Sequence, residues 1–332
     1  MSWDILHHEW AVRMLQQHIR HSQLKHAYLF TGPPGVGRRT LALRFCQALN
    51  CINPPVPGEA CGVCRACTLT MRMQHPDLAL VEAEREGGVI RVEQARELQR
   101  SLSLSPYEAR YRVALLLRFH EANHNTQNAL LKTLEEPPER VILLLTADTP
   151  ESLLATISSR CEILRLRPMP LPRLAELLET RHGIPSAEAR LLAHLAAGRV
   201  GVAIRYHESP ELNQRRLGWL EDIYQLLREN QRQRFAFAEA TTKDREQSRE
   251  RLRPLLQTWQ TFWRDLLLIA AGSSAPLVNL DWEERLRQLA VKIGAAEIHA
   301  RLKSLEGGLR MLDSHANPRL LLEVILLDLP RL

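Results

Sequence analysis

Along the first 170 residues, short apolar runs alternate with amphipathic stretches of helical period. The runs are AYLF (27–30), DLALVEA (77–83), RVALLLRF (112–119), RVILLLTAD (140–148) and CEILRLRPMP (161–170). Strands that are apolar at nearly every position bury both faces, which is the habit of a parallel sheet covered by crossover helices. The intervening helices are expected at 5–24, 40–49, 92–104, 125–138 and 150–161. The first carries Ile5, Leu6, Trp10, Val12, Met14, Leu15 and Ile19 at helical spacing, and the fourth is stopped by Pro137 and Pro138.

From about residue 171 only the helical pattern continues, with Gly or Pro breaks near 183–185, 198–201, 272–276 and 294. The expected fold class is α/β followed by all-α: an α/β domain at 1–170, a small helical domain at 171–207 and a larger helical domain at 208–332. The stretch 250–270 sets Leu252, Leu255, Leu256, Trp259, Phe262, Trp263, Leu266 and Leu267 at helical spacing and reads mostly as core, with part left for an interface. The stretch RRLGWLEDIYQLLRENQRQR (215–234) is charged and reads as a solvated face.

Composition adds a few limits. Of 332 residues, 45% are hydrophobic and 25% charged, a soluble globular balance. No apolar stretch is long enough to span a membrane, and no apolar run follows a basic start, so a cytoplasmic protein with no membrane partner is expected. The net charge of +6 is weak support for a nucleic-acid partner. Because 39 of the 44 basic residues are Arg, any single arginine stands against a high background.

Four of the six cysteines fall in one segment, Cys51, Cys61, Cys64 and Cys67, with the spacing C-x9-C-x2-C-x2-C. Thiolates two residues apart turn onto one ion, and four of them fill a tetrahedral shell with no place for a reactive water. A structural zinc is the expectation. An iron–sulfur cluster and free thiols are the other readings, and His75 is a competing ligand.

The segment HAYLFTGPPGVGRRTLALRF (26–45) reads as a strand, a glycine loop and a helix. Gly32 and Gly37 have the separation of a phosphate-binding loop. That loop needs Lys and then Ser or Thr, and here Arg38 and Arg39 stand in those places. Arg39 offers only donors, so it cannot ligate Mg²⁺, and Thr40 comes one residue late, about 100° around the helix. The strand that should end in a metal-organising acid runs instead into Arg118, Phe119 and His120, and the first acid is Glu121. No ATP hydrolysis is expected from this chain. Nucleotide binding without hydrolysis stays open.

GPPGVGRRT, the four-cysteine insertion, HPDL, NALLKTLEEPP and TISSRC, in this order, resemble the bacterial DNA polymerase III clamp loader, a five-subunit AAA+ assembly that closes a ring-shaped sliding clamp on primed DNA. The likeness runs over residues 5–170. It implies an AAA+ parallel-sheet domain with a zinc module at 51–67, a small helical lid domain and a C-terminal helical collar. Within the family the chain resembles the delta-prime type, which keeps Ser-Arg-Cys beside a damaged nucleotide site, and Gly201 stands where the second sensor arginine belongs. Its partners would be gamma/tau and delta subunits, with the clamp and primed DNA met through the complex. Arg160 of Ser159-Arg160-Cys161 would then be an arginine finger acting on ATP bound to a neighbour. The plainer reading of Arg160 is a surface ion pair, and Cys161 reads as a packing residue. On NALLKTLEEPP, Lys132, Glu135 and Glu136 suggest a local ion pair. The alternatives are an ATP-hydrolysing gamma/tau-type motor and, further off, a stand-alone zinc-dependent nucleic-acid-binding protein.

Overall fold

The structure is a computed structural model. It describes residues 3–85, 87–244, 248–314 and 316–332. Residues 1, 2 and 86 of the expected first domain, and 245–247 and 315 of the expected last one, lie outside the described residues. The chain divides into two compact units, Met1–Met169 with Arg199–Val202, and Pro170–Gly198 with Ala203–Leu332.

The first unit is built on five strands: β1 (Ala27–Thr31), β2 (Leu78–Val81), β3 (Arg112–Leu116), β4 (Val141–Ala147) and β5 (Glu162–Arg165). Their order is β2-β3-β4-β1-β5 and every pairing is parallel. Alternate residues divide the sheet's faces. Tyr28, Phe30, Val113, Leu115, Ile142 and Leu144 pack with Ala11 and Leu15 of α1 (Glu9–Arg20) and Leu41, Phe45 and Leu49 of α2 (Arg38–Asn50). After α3 (Arg65–Met71), the helices α4 (Val92–Leu102) and α5 (His124–Glu135) cover the other face. There Leu98, Leu102, Leu130 and Leu134 meet Ala27, Leu29, Ala114, Leu116, Leu143 and Leu145. The parallel sheet buried on both faces is thus present, for the reason its apolar runs gave.

Several elements are shorter than the apolar pattern suggested; the first helix, expected at 5–24, runs only over Glu9–Arg20. β3 stops at Leu116 because Arg118 turns left-handed, with φ 48°. β5 stops at Arg165, ahead of Pro168 and Pro170, which cannot donate to a ladder. The stretch 150–161 holds a 3₁₀ turn at Pro150–Ser152 and the four-residue helix α6 (Ala155–Ser158) instead of one long helix.

The second unit is helical: α7 (Leu171–His182), α8 (Ser186–Leu195), α9 (Val200–Glu208, whose first residues count with the first unit), α10 (Pro210–Leu226), α11 (Gln231–Thr241), α12 (Ser248–Ala270), α13 (Glu283–Ala290), α14 (Ala295–Asp313) and α15 (Pro318–Leu327). No strand follows β5 among the described residues. α12 is the axis of the core. Its Leu252, Leu255, Leu256, Trp259, Phe262, Trp263 and Leu266 are buried with Leu220 and Ile223 of α10, Leu286 of α13, Ile298 and Leu305 of α14, and Leu322 and Ile325 of α15.

The stretch 215–234 is not the solvated face its charges suggested. Leu220, Ile223, Leu226 and Leu227 belong to the core, and Arg216 and Arg234 are themselves buried. Arg234 explains how. Its guanidinium donates to the carbonyls of Leu226 (2.9 Å), Leu326 (3.2 Å), Leu329 (2.7 Å) and Pro330 (2.8 Å). Those oxygens close the C-terminal ends of α10 and α15, where orphan carbonyls and the helix dipole both favour a cation.

Candidate functional site: the glycine loop, Ser-Arg-Cys and the cysteine cluster

The glycine loop leaves β1 at the carboxyl end of the sheet, where open α/β sheets bind their ligands. Gly32 has φ 143°, and a Cβ there would lie 2.4 Å from the Leu166 carbonyl oxygen, so no other residue fits. The next turn is closed over by backbone. The N–H of Gly201 donates to the Gly35 carbonyl at 2.9 Å, an approach that leaves little room for a side chain at 201.

Arg38, at the place of the missing Lys, is only 8% exposed and spends its charge inside the chain: Nη1 donates to Asp148 Oδ1 at 2.6 Å. Asp148 directly follows β4 and also lies 3.7 Å from His120 Nε2. Burial holds the His120 imidazole below its ordinary value, against the pull of Asp148. Arg39 is exposed and donates to the Met73 sulfur at 3.2 Å, away from the loop, and Thr40 is exposed as well. At the end of β3, where a metal-organising acid would stand, Arg118 donates its Nε to both oxygens of Glu121 at 3.1 Å. Glu121 also accepts the Gly87 N–H at 2.9 Å, so the nearest acid is fully engaged.

Ser159-Arg160-Cys161 closes α6. Ser159 caps the helix and its Oγ donates to the Thr156 carbonyl at 3.3 Å. Arg160 is 34% exposed; Nη1 donates to the Thr156 carbonyl at 2.8 Å and Nη2 to Glu135 Oε1 at 2.9 Å. Glu135 therefore turns to Arg160, not to the expected partner Lys132. Burial pushes the Cys161 thiol up to about 12, so it is a packed thiol and no nucleophile.

The four cysteines do converge. The sulfurs of Cys51, Cys61, Cys64 and Cys67 all lie within 4.8 Å of one another, and Cys61 and Cys67 are 4.0 Å apart. Zinc with Zn–S bonds of about 2.3 Å needs sulfurs about 3.8 Å apart, so this donor set fits a tetrahedral ion. Local geometry prepares it. Cys51 ends α2 and Cys64 caps α3, and Gly62 at φ 75° makes the turn between Cys61 and Cys64. Backbone N–H groups point at the sulfurs: Cys61 to Cys51 at 3.3 Å, Cys64 to Cys61 at 3.3 Å and Cys67 to Cys64 at 3.5 Å. The N–H groups of Cys64 and Val63 pull the Cys61 thiol down to about 6.

His75 does not join the cluster. Its Nδ1 accepts the Asp77 N–H at 3.0 Å, and its role is structural. The fully buried Asp77 accepts the N–H groups of Tyr107 (2.7 Å), Glu108 (2.9 Å) and Ala109 (2.9 Å), which fixes the loop before β3. Burial alone would raise the Asp77 pKa, but these bonds take it below its ordinary value. A carboxyl with a depressed folded pKa stabilises the fold above its unfolded pKa of about 3.9, and that stability is lost as pH falls through the lower folded value. Asp77→Asn should therefore lower the urea midpoint at pH 7 and flatten the loss of stability between about pH 5 and pH 2. An unchanged acid limb in the variant would exclude this role.

Sequence reasoning missed Asp148, and it gave Glu135 a local partner in place of Arg160. An arginine in the lysine place needs an anion, but that β4 lies beside β1 and brings Asp148 to Arg38 follows only from the sheet order. Nothing in the spacing pointed from Glu135 to Arg160, 25 residues away.

Two family models match the chain, "DNA polymerase III, delta subunit" over residues 7–170 and "DNA polymerase III, delta subunit, C terminal" over residues 210–330. Among relatives, a DNA polymerase III subunit delta' of Bacillus subtilis is 26% identical over 96% of this chain and 95% of its own length. A subunit delta' of Pseudomonas aeruginosa is 38% identical over 57% of this chain. The chain belongs to the delta-prime family of DNA polymerase III clamp-loader subunits. Tau/gamma subunits are also similar, such as the DNA polymerase III subunit tau/gamma of Haemophilus influenzae, 34% identical over 59% of this chain. The matched stretch spans 56% of the Pseudomonas protein and 29% of the Haemophilus one. A solved DNA polymerase III gamma subunit-related protein of Thermotoga maritima shares the fold, with TM-score 0.51 and 18% identity over 96% of this chain and 97% of its own. Among the described residues no helix is long and apolar enough to cross a membrane.

Proposed function

We propose that this delta-prime-family chain is a non-hydrolysing, stator-like subunit of the clamp loader that lends an arginine finger to a neighbouring ATPase subunit. The observation that carries the reading is the state of the glycine loop. Arg38, in the lysine place, is neutralised by Asp148, and the only acid close behind β3, Glu121, is neutralised by Arg118. Neither the charge that would meet a γ-phosphate nor an acid free to organise Mg²⁺ is on offer. The same two pairs weigh against the gamma/tau-type motor. Arg160, by contrast, is a permanently charged, planar group with a third of its side chain exposed. The cysteine cluster holds a structural zinc, since four sulfurs leave no open position for catalysis.

The partners are gamma/tau- and delta-type subunits, with the sliding clamp and primed DNA reached through the assembly. Residues 171–207 act as the lid and 208–332 as the collar. On α15 the collar exposes Leu320, Val324 and Leu327 along one face, an apolar stripe suited to a neighbouring helix. Mixing the purified chain with gamma/tau- and delta-type subunits should give a stable complex that loads clamps on primed DNA. Failure to assemble, or loading that is equally fast without this chain, would overturn the assignment.

A further inference from the structure

The ion pair between Glu135 and Arg160 has no role in the reading above, and Glu135 belongs to the NALLKTLEEPP helix whose chemistry the sequence left open. Pro137 and Pro138 end that helix. The residue before a proline avoids the helical region, and Glu136 accordingly departs to φ −125°, ψ 71°. Glu135 is thus the last residue held in helical register, on a helix anchored in the core by Leu130 and Leu134.

From this rigid end its carboxylate takes one terminal nitrogen of Arg160, and the Thr156 carbonyl takes the other. A guanidinium has five N–H donors, so three are left for another ligand. Glu135 is 51% exposed, and an ion pair that open to solvent adds little to stability. What two fixed anchors do provide is orientation. A long, flexible side chain that acts on a transition state gains most when its geometry is set before the ligand arrives.

Resting on the arginine-finger reading, we propose that Glu135 is a positioning residue for Arg160, holding the guanidinium in the orientation in which it engages the neighbour's ATP. The contact orients the finger and does not park it.

A double-mutant cycle in the assembled loader tests this. Complexes carrying the wild-type chain, Glu135→Ala, Glu135→Gln, Arg160→Ala, or Glu135→Ala with Arg160→Ala are compared for assembly, clamp-loading rate and nucleotide KM. Glu135→Ala should assemble normally and slow loading about tenfold with little change in KM. Glu135→Gln, which keeps an acceptor, should recover most of the rate. In the Arg160→Ala background, Glu135→Ala should cost nothing further, because there is no finger left to orient. If Arg160→Ala slows loading but Glu135→Ala leaves it unchanged, speeds it up, or slows it equally in both backgrounds, the positioning role is wrong and the finger stands. If Arg160→Ala itself has no effect, the finger reading fails and this inference fails with it.

Discussion

Arg160→Ala should leave the chain folded and able to join the complex, yet lower the clamp- and DNA-stimulated ATPase of the assembled loader. The fold should be spared because Arg160 lies at the surface end of α6, outside the buried clusters, and its pair with Glu135 is solvent-exposed. The chemistry should not be. Charge spreads over the transferring phosphoryl in the transition state, and a guanidinium supplied across the interface answers it. Loss of such a finger costs on the order of 10³-fold or more at the affected site. Under the proposed finger role only the neighbouring site would depend on Arg160, so bulk turnover should fall in part, while clamp loading, which needs the sites in concert, should fall further. Steady-state ATPase and a clamp-loading assay on matched complexes separate the two. Wild-type loading by a normally assembled Arg160→Ala complex would leave Arg160 as a surface ion pair.

Removing the proposed zinc should have a large effect confined to the insertion. Structural zinc sites in small peptides contribute about 10–16 kcal/mol of binding free energy that doubles as folding free energy. Between Cys51 and Cys61 the chain exposes Ile52 and Val56 and is tied to α1 and its flank by Trp3, which donates to the Gly58 carbonyl (3.0 Å), and Arg20, which donates to the Pro57 carbonyl (2.8 Å). With its apolar side chains exposed, the segment should depend on the proposed ion for its order. Purified under reducing conditions, the chain should carry about one zinc. Cys64→Ser should release it, expose 51–67 to proteolysis and leave the sheet's circular dichroism in place. Metal analysis that finds no zinc would remove the ion from the account.

Much of this was legible in the sequence, for physical reasons that differ by element. The five strands declared themselves because a sheet covered on both faces favours an apolar residue at nearly every position, as in Val141–Ala147, where Thr146 is the one polar residue. The cysteine cluster was readable because tight turns leave short spacings few places to go. The charged stretch at 215–234 misled because arginine was equated with solvent. Arg234 is buried by four carbonyls, which carry no charge and leave no mark on a composition profile. The pairs Arg38–Asp148 and Arg160–Glu135 escaped for another reason. They join residues 110 and 25 positions apart, brought together only once the sheet order is known.

ATP turnover by the purified chain alone bears most directly on whether this subunit has given up its own site. With Arg38 and Glu121 both paired internally, the wild-type chain should hydrolyse ATP no faster than the buffer blank. Arg38→Lys should not change that, because the hydroxyl and the acid are still missing. Turnover that stays with the protein through successive purification steps, in either chain, would contradict the account and make this subunit a motor.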